Sequence, residues 1–224
     1  MDMYLTKINP VNGEIMLKLA NDISNNCKNI LIVRTYRTGI FLDNFLPDNK
    51  SITRIIYSNK HYSLTKCHPS SIIIDYTELD TYIETLNMSF DLICLDPFHE
   101  FKESLNSLVC LSKYLTDTGI LLCHDCFPPH IKYTRPFYTK GPWSGVTYVA
   151  FVNFSYLYPN LYYGVLKTEF GIGIVSKNPI DGLTNNFNKE KQEALFELLN
   201  NNSENTYQYF CENSKGLINA LSKK

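Results

Sequence analysis

Two apolar runs that end on acids constrain this chain more than any other feature. "FDLICLD" (90–96) and "GILLCHD" (119–125) carry almost nothing polar until their last positions. A strand that is apolar on both sides is buried on both faces, which is the condition of a parallel sheet covered by helices. Between the runs, Phe101, Leu105, Leu108, Leu111 and Leu115 recur at three- and four-residue intervals, as the inner face of a crossover helix requires. Thr118-Gly119 is expected to end that helix. A helix linking two neighbouring strands makes them parallel, so Asp96 and Asp125 belong on one edge of the sheet.

The rest of the chain fits around this unit. Met16, Leu17, Leu19, Ala20 and Ile23 form one face of an opening helix, and "NILIVR" (29–34) reads as a buried strand. A short helix over 40–46 stops at Pro47; strands follow at 52–57 and 72–74, with a helix at 78–86 before the first acid-tipped strand. This alternation predicts an α/β fold: a Rossmann-like, doubly wound, mostly parallel sheet. "GVTYVAFVNFSYLY" resumes a helix from Gly145, and "LYYGVLKT" with "GIGIVSK" predicts a C-terminal antiparallel hairpin turning around Glu169-Phe170. Residues 1–184 are read as one domain, and 185–224, rich in Asn, Lys and Glu, as a helical tail packed on it.

Bulk properties exclude some functions. The net charge is -1, from 21 basic and 22 acidic residues, without a long run of either sign, which speaks against nucleic acid or an anionic membrane as partner. No apolar run approaches the roughly 20 residues that span a bilayer. The first 19 residues lack the pattern of a secretory signal, so a cytoplasmic protein is expected. Seven cysteines, several inside apolar segments, suit reduced, packed thiols. The CxxC of Cys123 and Cys126 begins inside a strand, precedes Pro128-Pro129 and has no second pair, so neither a redox motif nor a zinc site is expected. Oligomeric state is left open, a homo-oligomer included.

Neighbouring parallel strands lie about 4.8 Å apart, so acids ending both can converge on one hard cation or one hydroxyl. Asp96 and Asp125 are candidates for an Mg²⁺-type site at the edge where open α/β sheets bind ligands. His99, three residues beyond Asp96, has an ordinary pKa of about 6.5 that suits a base near neutrality. The alternative is structural, since acids at strand ends also cap the next turn.

These residues carry a resemblance. "FDLICLDPFHEFKESLNSLVCLSKYLTDTGILLCHDCFPP", with "GPWSGVTYVAFVNF" and "LKTEFGIGIVSK", resembles class I S-adenosylmethionine-dependent methyltransferases of the sugar and small-molecule O-methyltransferase type, including bacterial members found among surface-polysaccharide genes. The resemblance spans 90–177. It implies Asp96 and Asp125 as ligands of Mg²⁺ or a similar divalent cation, with His124 as a neighbour or further ligand, and His99 with Asp96 as the catalytic pair. The acceptor it implies is a saccharide or another hydroxylated small molecule.

The cofactor half departs from that family. Its loop normally reads acid-x-Gly-x-x-x-Gly, because glycine lets the backbone approach the cofactor. Here "IVRTYRTG" (32–39) keeps only Gly39 and adds Arg34 and Arg37, and the acid expected at the end of the second strand is Tyr57. Two readings follow. Either S-adenosylmethionine still binds, through Thr35, Gly39, Asn59 and Asp75, or the fold has lost the cofactor and serves as a sugar- or nucleotide-sugar-binding protein or a different metal-dependent enzyme. Arg34 and Arg37 would then take an anionic group, unless they lie in a solvated loop. In the loop from 127 to 143, rich in proline and aromatic residues, Trp143, Tyr138 and Phe137 can stack on a sugar while Arg135 or His130 orients a polar group. Alternatively, Trp143 anchors the loop on the core.

Overall fold

The computed structural model describes residues 13–35, 39–45, 50–58, 68–138, 141–201 and 204–221. Among them, eight strands form one sheet: β1 (Asn29–Thr35), β2 (Ser51–Ser58), β3 (Ser71–Asp75), β4 (Phe90–Asp96), β5 (Leu115–Cys123), β6 (Tyr162–Leu166), β7 (Ile172–Ser176) and β8 (Ala220–Leu221). Their order is β3-β2-β1-β4-β5-β7-β6-β8. The first five strands are parallel, and β6 and β7 form the antiparallel hairpin, with β7 paired antiparallel to β5. This is the Rossmann-like, doubly wound α/β arrangement expected from the sequence.

The two-residue alternation of a strand divides the core. On β1 and β4, Ile30, Ile32, Leu92 and Cys94 pack with Met16, Leu19 and Ala20 of α1 (Glu14–Ser24) and with Leu42 and Phe45. Leu31, Val33, Ile93 and Leu95 face the other way, toward α2 (Leu79–Leu86), α3 (Phe101–Ser112) and α4 (Thr147–Leu157). Both faces are therefore dry, which explains the continuous apolar runs. Helix α4 is apolar nearly all round, and such a helix must be covered on every side. The cover comes from α3, α5 (Lys189–Asn200) and α6 (Asn205–Ile218); Leu195, Phe210, Leu217 and Ile218 are fully buried in the same core. Gln192 of α5 donates to Ser155 Oγ of α4 at 2.9 Å.

One expectation fails at the crossover. Helix α3 ends at Ser112, and Leu115, Thr118 and Gly119 lie in β5. The Tyr114 carbonyl accepts from Phe90 N at 2.8 Å and Leu115 pairs with Phe90, so joining the sheet satisfies backbone groups sooner than another helical turn would. The pairing then slips between Phe90 and Leu92. Gly119 is needed there because a Cβ would lie 2.8 Å from the Phe90 carbonyl oxygen, so it is a close-approach glycine inside a bulged strand, not a helix stop. The short helix expected over 40–46 is a 3₁₀ turn, Gly39–Asn44.

Candidate active site

β4 and β5 lie side by side and end on Asp96 and on Cys123 followed by His124-Asp125, so their parallel pairing brings the acids to one edge. His99 Nε2 lies 2.8 Å from Asp125 Oδ2 and 3.4 Å from Asp96 Oδ1. His124 Nδ1 lies 3.2 Å from Asp125 Oδ2 and 3.4 Å from Asp96 Oδ1. Thr35, at the tip of the adjacent β1, donates its hydroxyl to the other oxygen of Asp96 at 3.2 Å. All of these side chains are buried.

A sixth member comes from the hairpin between β6 and β7. Glu169 turns one oxygen toward His124 Nε2, at 3.6 Å, and accepts a 2.8 Å hydrogen bond on the other from Ile15 N, in the first turn of α1. The carboxylate thus sits at the positive end of α1. Sequence reasoning treated Glu169 only as a turn residue. The signal available was its charge, the only one in the "EFGIGIVS" segment.

Backbone conformation marks the same residues. Among the described residues, five that are not glycine have positive φ: Asn87 and Asn219, which cap the carboxyl ends of α2 and α6, and His99 (63°), Asp125 (65°) and Glu169 (53°). Asparagine tolerates that conformation at a helix end. The other three stand outside helix ends, and all belong to the cluster, which is where strained backbone held by its surroundings gathers.

Charge explains the protonation pattern. Burial alone would lower the His99 imidazole, but the Asp125 and Asp96 carboxylates outweigh it and raise His99 to about 10. His124 is likewise pushed down by burial and carried well above its ordinary value by Asp125, Asp96 and Glu169. Burial would raise Asp96 and Asp125, yet the two imidazoles hold both below the usual carboxylate range. Three acids face two imidazoles, so with every group charged the cluster keeps one net negative charge. His99 Nδ1, His124 Nε2 and Glu169 Oε2 are buried without a hydrogen-bond partner. Asp96, His124 and Asp125 can each offer one ligand atom within 4.8 Å of the others, so the donor set fits a divalent cation.

Aromatic rings wall the cluster. The Trp143 ring centroid is 5.3 Å from that of His99, and Phe41 and Phe170 stand 5.2 Å and 6.3 Å from His124. Trp143 also donates Nε1 to the Arg135 carbonyl at 2.6 Å, so it both anchors the loop and shields the site. Gly145 makes this closure feasible: its φ is +56°, and a Cβ would lie 2.0 Å from the His99 carbonyl oxygen, which accepts from Val146 N at 2.8 Å.

The remaining candidates are dispersed. Tyr138 packs edge-on against Trp143 at 5.5 Å and is 43% exposed, Phe137 is 72% exposed, and the Arg135 side chain faces solvent. His130 accepts from Lys132 N and caps a 3₁₀ turn, Ile131–Tyr133. Asp75 ends β3, three strands from β4, and caps a turn by accepting from Thr77 N and Oγ1. Gly39 opens the 3₁₀ turn beyond β1, whereas Asn59 and Arg37 lie outside the described residues. Arg34 corrects the expectation of a free anion-binding or solvated arginine. It is 1% exposed and donates to both oxygens of Asp43, from Nε at 2.9 Å and from Nη2 at 2.6 Å. Tyr57 points inward and shares a 2.9 Å hydrogen bond with Ser107 of α3.

No protein-family model matches this sequence, and no curated protein does. Solved structures do match. SAH-bound methyltransferase PaMTH1 of Podospora anserina superposes with a TM-score of 0.52 at 19% identity, over 75% of this chain and 78% of that one. An O-methyltransferase from Bacillus cereus in complex with SAH gives 0.50 at 15% identity, over 76% and 81%. The chain has a Rossmann-like methyltransferase fold. In that fold, the buried cluster lies at the carboxyl edge of the parallel strands, where open α/β sheets receive ligands. Among the described residues no helix is long and apolar enough to cross a membrane.

Proposed function

We propose that this protein is an S-adenosylmethionine-dependent O-methyltransferase that methylates a hydroxyl of a small molecule, with a saccharide as acceptor and a divalent cation assisting. The observation that carries the reading is the convergence of Asp96, His99, His124 and Asp125 at the edge of β4 and β5 in a methyltransferase fold. Two similar structures, an O-methyltransferase and a methyltransferase each with SAH, support the same chemistry.

In this reading Asp96, His124 and Asp125 hold the cation, which when bound lowers the pKa of an acceptor hydroxyl and orients its oxygen. Thr35 fixes the Asp96 carboxylate through its hydroxyl. His99 faces both carboxylates, and their charge keeps it protonated. When that charge is engaged, His99 is placed to receive the hydroxyl proton. Trp143 and Phe41 exclude water, which strengthens these interactions. Gly39 and Thr35 stand at the outlet of β1, where the cofactor is expected, with Asp75 and Asn59 as further cofactor contacts. Arg135, Tyr138 and Trp143 are the residues this reading assigns to the acceptor. A cytoplasmic enzyme without nucleic-acid or membrane partners is the corresponding setting.

A second reading, a methyltransferase fold that has lost its cofactor and binds a sugar ligand, is favoured by one observation. The two strand ends that should serve the cofactor are committed elsewhere: Arg34 to Asp43, and Tyr57 to Ser107 in the core. Incubation with methyl-labelled S-adenosylmethionine and a panel of hydroxylated saccharides separates the two. The first reading expects label in the acceptor and its loss on chelation of divalent ions. Absence of label from every acceptor, with the folded protein binding saccharide, would favour the second.

A further inference from the structure

His124 stands between two kinds of partner. Its Nδ1 faces Asp96 and Asp125, at 3.4 and 3.2 Å, while Nε2, on the opposite edge of the ring, faces Glu169 Oε2 at 3.6 Å. Neither Nε2 nor Glu169 Oε2 has a hydrogen-bond partner, although both atoms are buried. Glu169 is held firmly. Its other oxygen accepts from Ile15 N, and its backbone takes the left-handed conformation that delivers the carboxylate inward. The end of β5 supplies the imidazole, the β6–β7 turn brings Glu169 to it, and the start of α1 holds Glu169 in place.

We propose that Asp96, His124 and Asp125 form a mixed oxygen and nitrogen site selective for a first-row transition-metal dication over Mg²⁺, with Glu169 as the positioning residue for His124. The proposal rests on the metal-assisted reading above and adds the class of metal and the role of Glu169. Mg²⁺ is a hard ion that favours oxygen donors and retains water, whereas imidazole suits the later, softer divalent ions. An imidazole that ligates through one nitrogen needs its other N–H held by a carboxylate or carbonyl, which fixes the tautomer and raises ligand basicity. Glu169 Oε2 is the carboxylate oxygen facing that edge of His124. The neutral Nε2–H tautomer places the N–H toward Glu169 and the lone pair of Nδ1 toward Asp96 and Asp125. It gives the two orphaned atoms complementary roles, donor and acceptor, and leaves the Nδ1 lone pair for the cation.

The test uses the full chain, stripped of metal with a chelator and titrated calorimetrically with Mg²⁺, Mn²⁺ and Co²⁺. The expected order of affinity is Co²⁺ above Mn²⁺ and Mn²⁺ above Mg²⁺. Glu169→Gln, which keeps size and the contact to Ile15 N, is expected to weaken Co²⁺ binding by about 10- to 100-fold and to shift the visible absorption of the Co²⁺ complex. His124→Asn removes the preference for Co²⁺ over Mg²⁺, and adding Glu169→Gln to it changes nothing further, because Glu169 acts through His124. A merely structural Glu169 would leave the cobalt spectrum unmoved and its effect would persist in the double variant. Mg²⁺ binding as tightly as Mn²⁺ overturns the metal class, and unchanged affinity and spectrum in Glu169→Gln overturn its role alone. A wild-type chain that binds none of the three ions removes the metal-assisted reading together with this inference. Should Glu169→Gln fail to fold, the wild-type ranking and His124→Asn still decide the metal class.

Discussion

His99 shows how one residue couples stability to chemistry. In the metal-free protein it is raised to about 10 by Asp125 and Asp96 against the opposing effect of burial. A raised imidazole stabilises the fold fully below its unfolded pKa of about 6.5 and loses that contribution as pH climbs through the folded value. Asp96 and Asp125 are depressed, so their contribution is present above the unfolded carboxylate pKa and is lost as pH falls. The chelated protein is therefore expected to lose stability steadily from about pH 6.5 to 10, measured as a falling urea midpoint; a flat profile would contradict the ion-paired cluster. In the proposed methyl transfer, with His99 as the base, His99→Ala is expected to reduce kcat by about 10²- to 10⁴-fold, while leaving cofactor affinity nearly unchanged in a binding titration.

Among elements, the two acid-tipped strands were the most legible part of the sequence, because burial on both faces writes an uninterrupted apolar run that stops where the rim begins. The end of α3 was not legible: Leu115 continues the helical spacing of Leu108 and Leu111, yet it pairs with Phe90 in the sheet. Glu169 was hidden for a related reason. An acid in a hairpin turn normally faces water, and only the approach of α1 and His124 turns it inward. Arg34 was misjudged because its partner, Asp43, lies across a turn that periodicity does not describe. The loop carrying Gly145 is tied to His99 by the Val146 N–His99 carbonyl hydrogen bond, so Gly145→Ala should cost about 1–3 kcal/mol from its left-handed conformation and more from the collision with the His99 carbonyl. Urea unfolding and methyl-transfer assays should show both losses; a stable, active variant would mean that the loop does not fix His99.

At the scale of the whole molecule, α4 is buried on one side by α3 and the sheet and on the other by α5 and α6, so the segment after the hairpin should unfold with the rest. Phe210 is fully buried on α6 beside Phe127 and Tyr148. Phe210→Ala should lower stability by about 3–5 kcal/mol, a large part of the roughly 5–15 kcal/mol of a typical domain. One cooperative transition shifted as a unit is expected; a first transition confined to the tail would show an independent segment. The proposed methyl transfer requires that the β1 outlet admit the cofactor. The most direct measurement is a calorimetric titration of the full chain with S-adenosylmethionine and with SAH. Saturable one-to-one binding of both is predicted; the absence of binding by a folded protein at millimolar ligand would contradict the methyltransferase account.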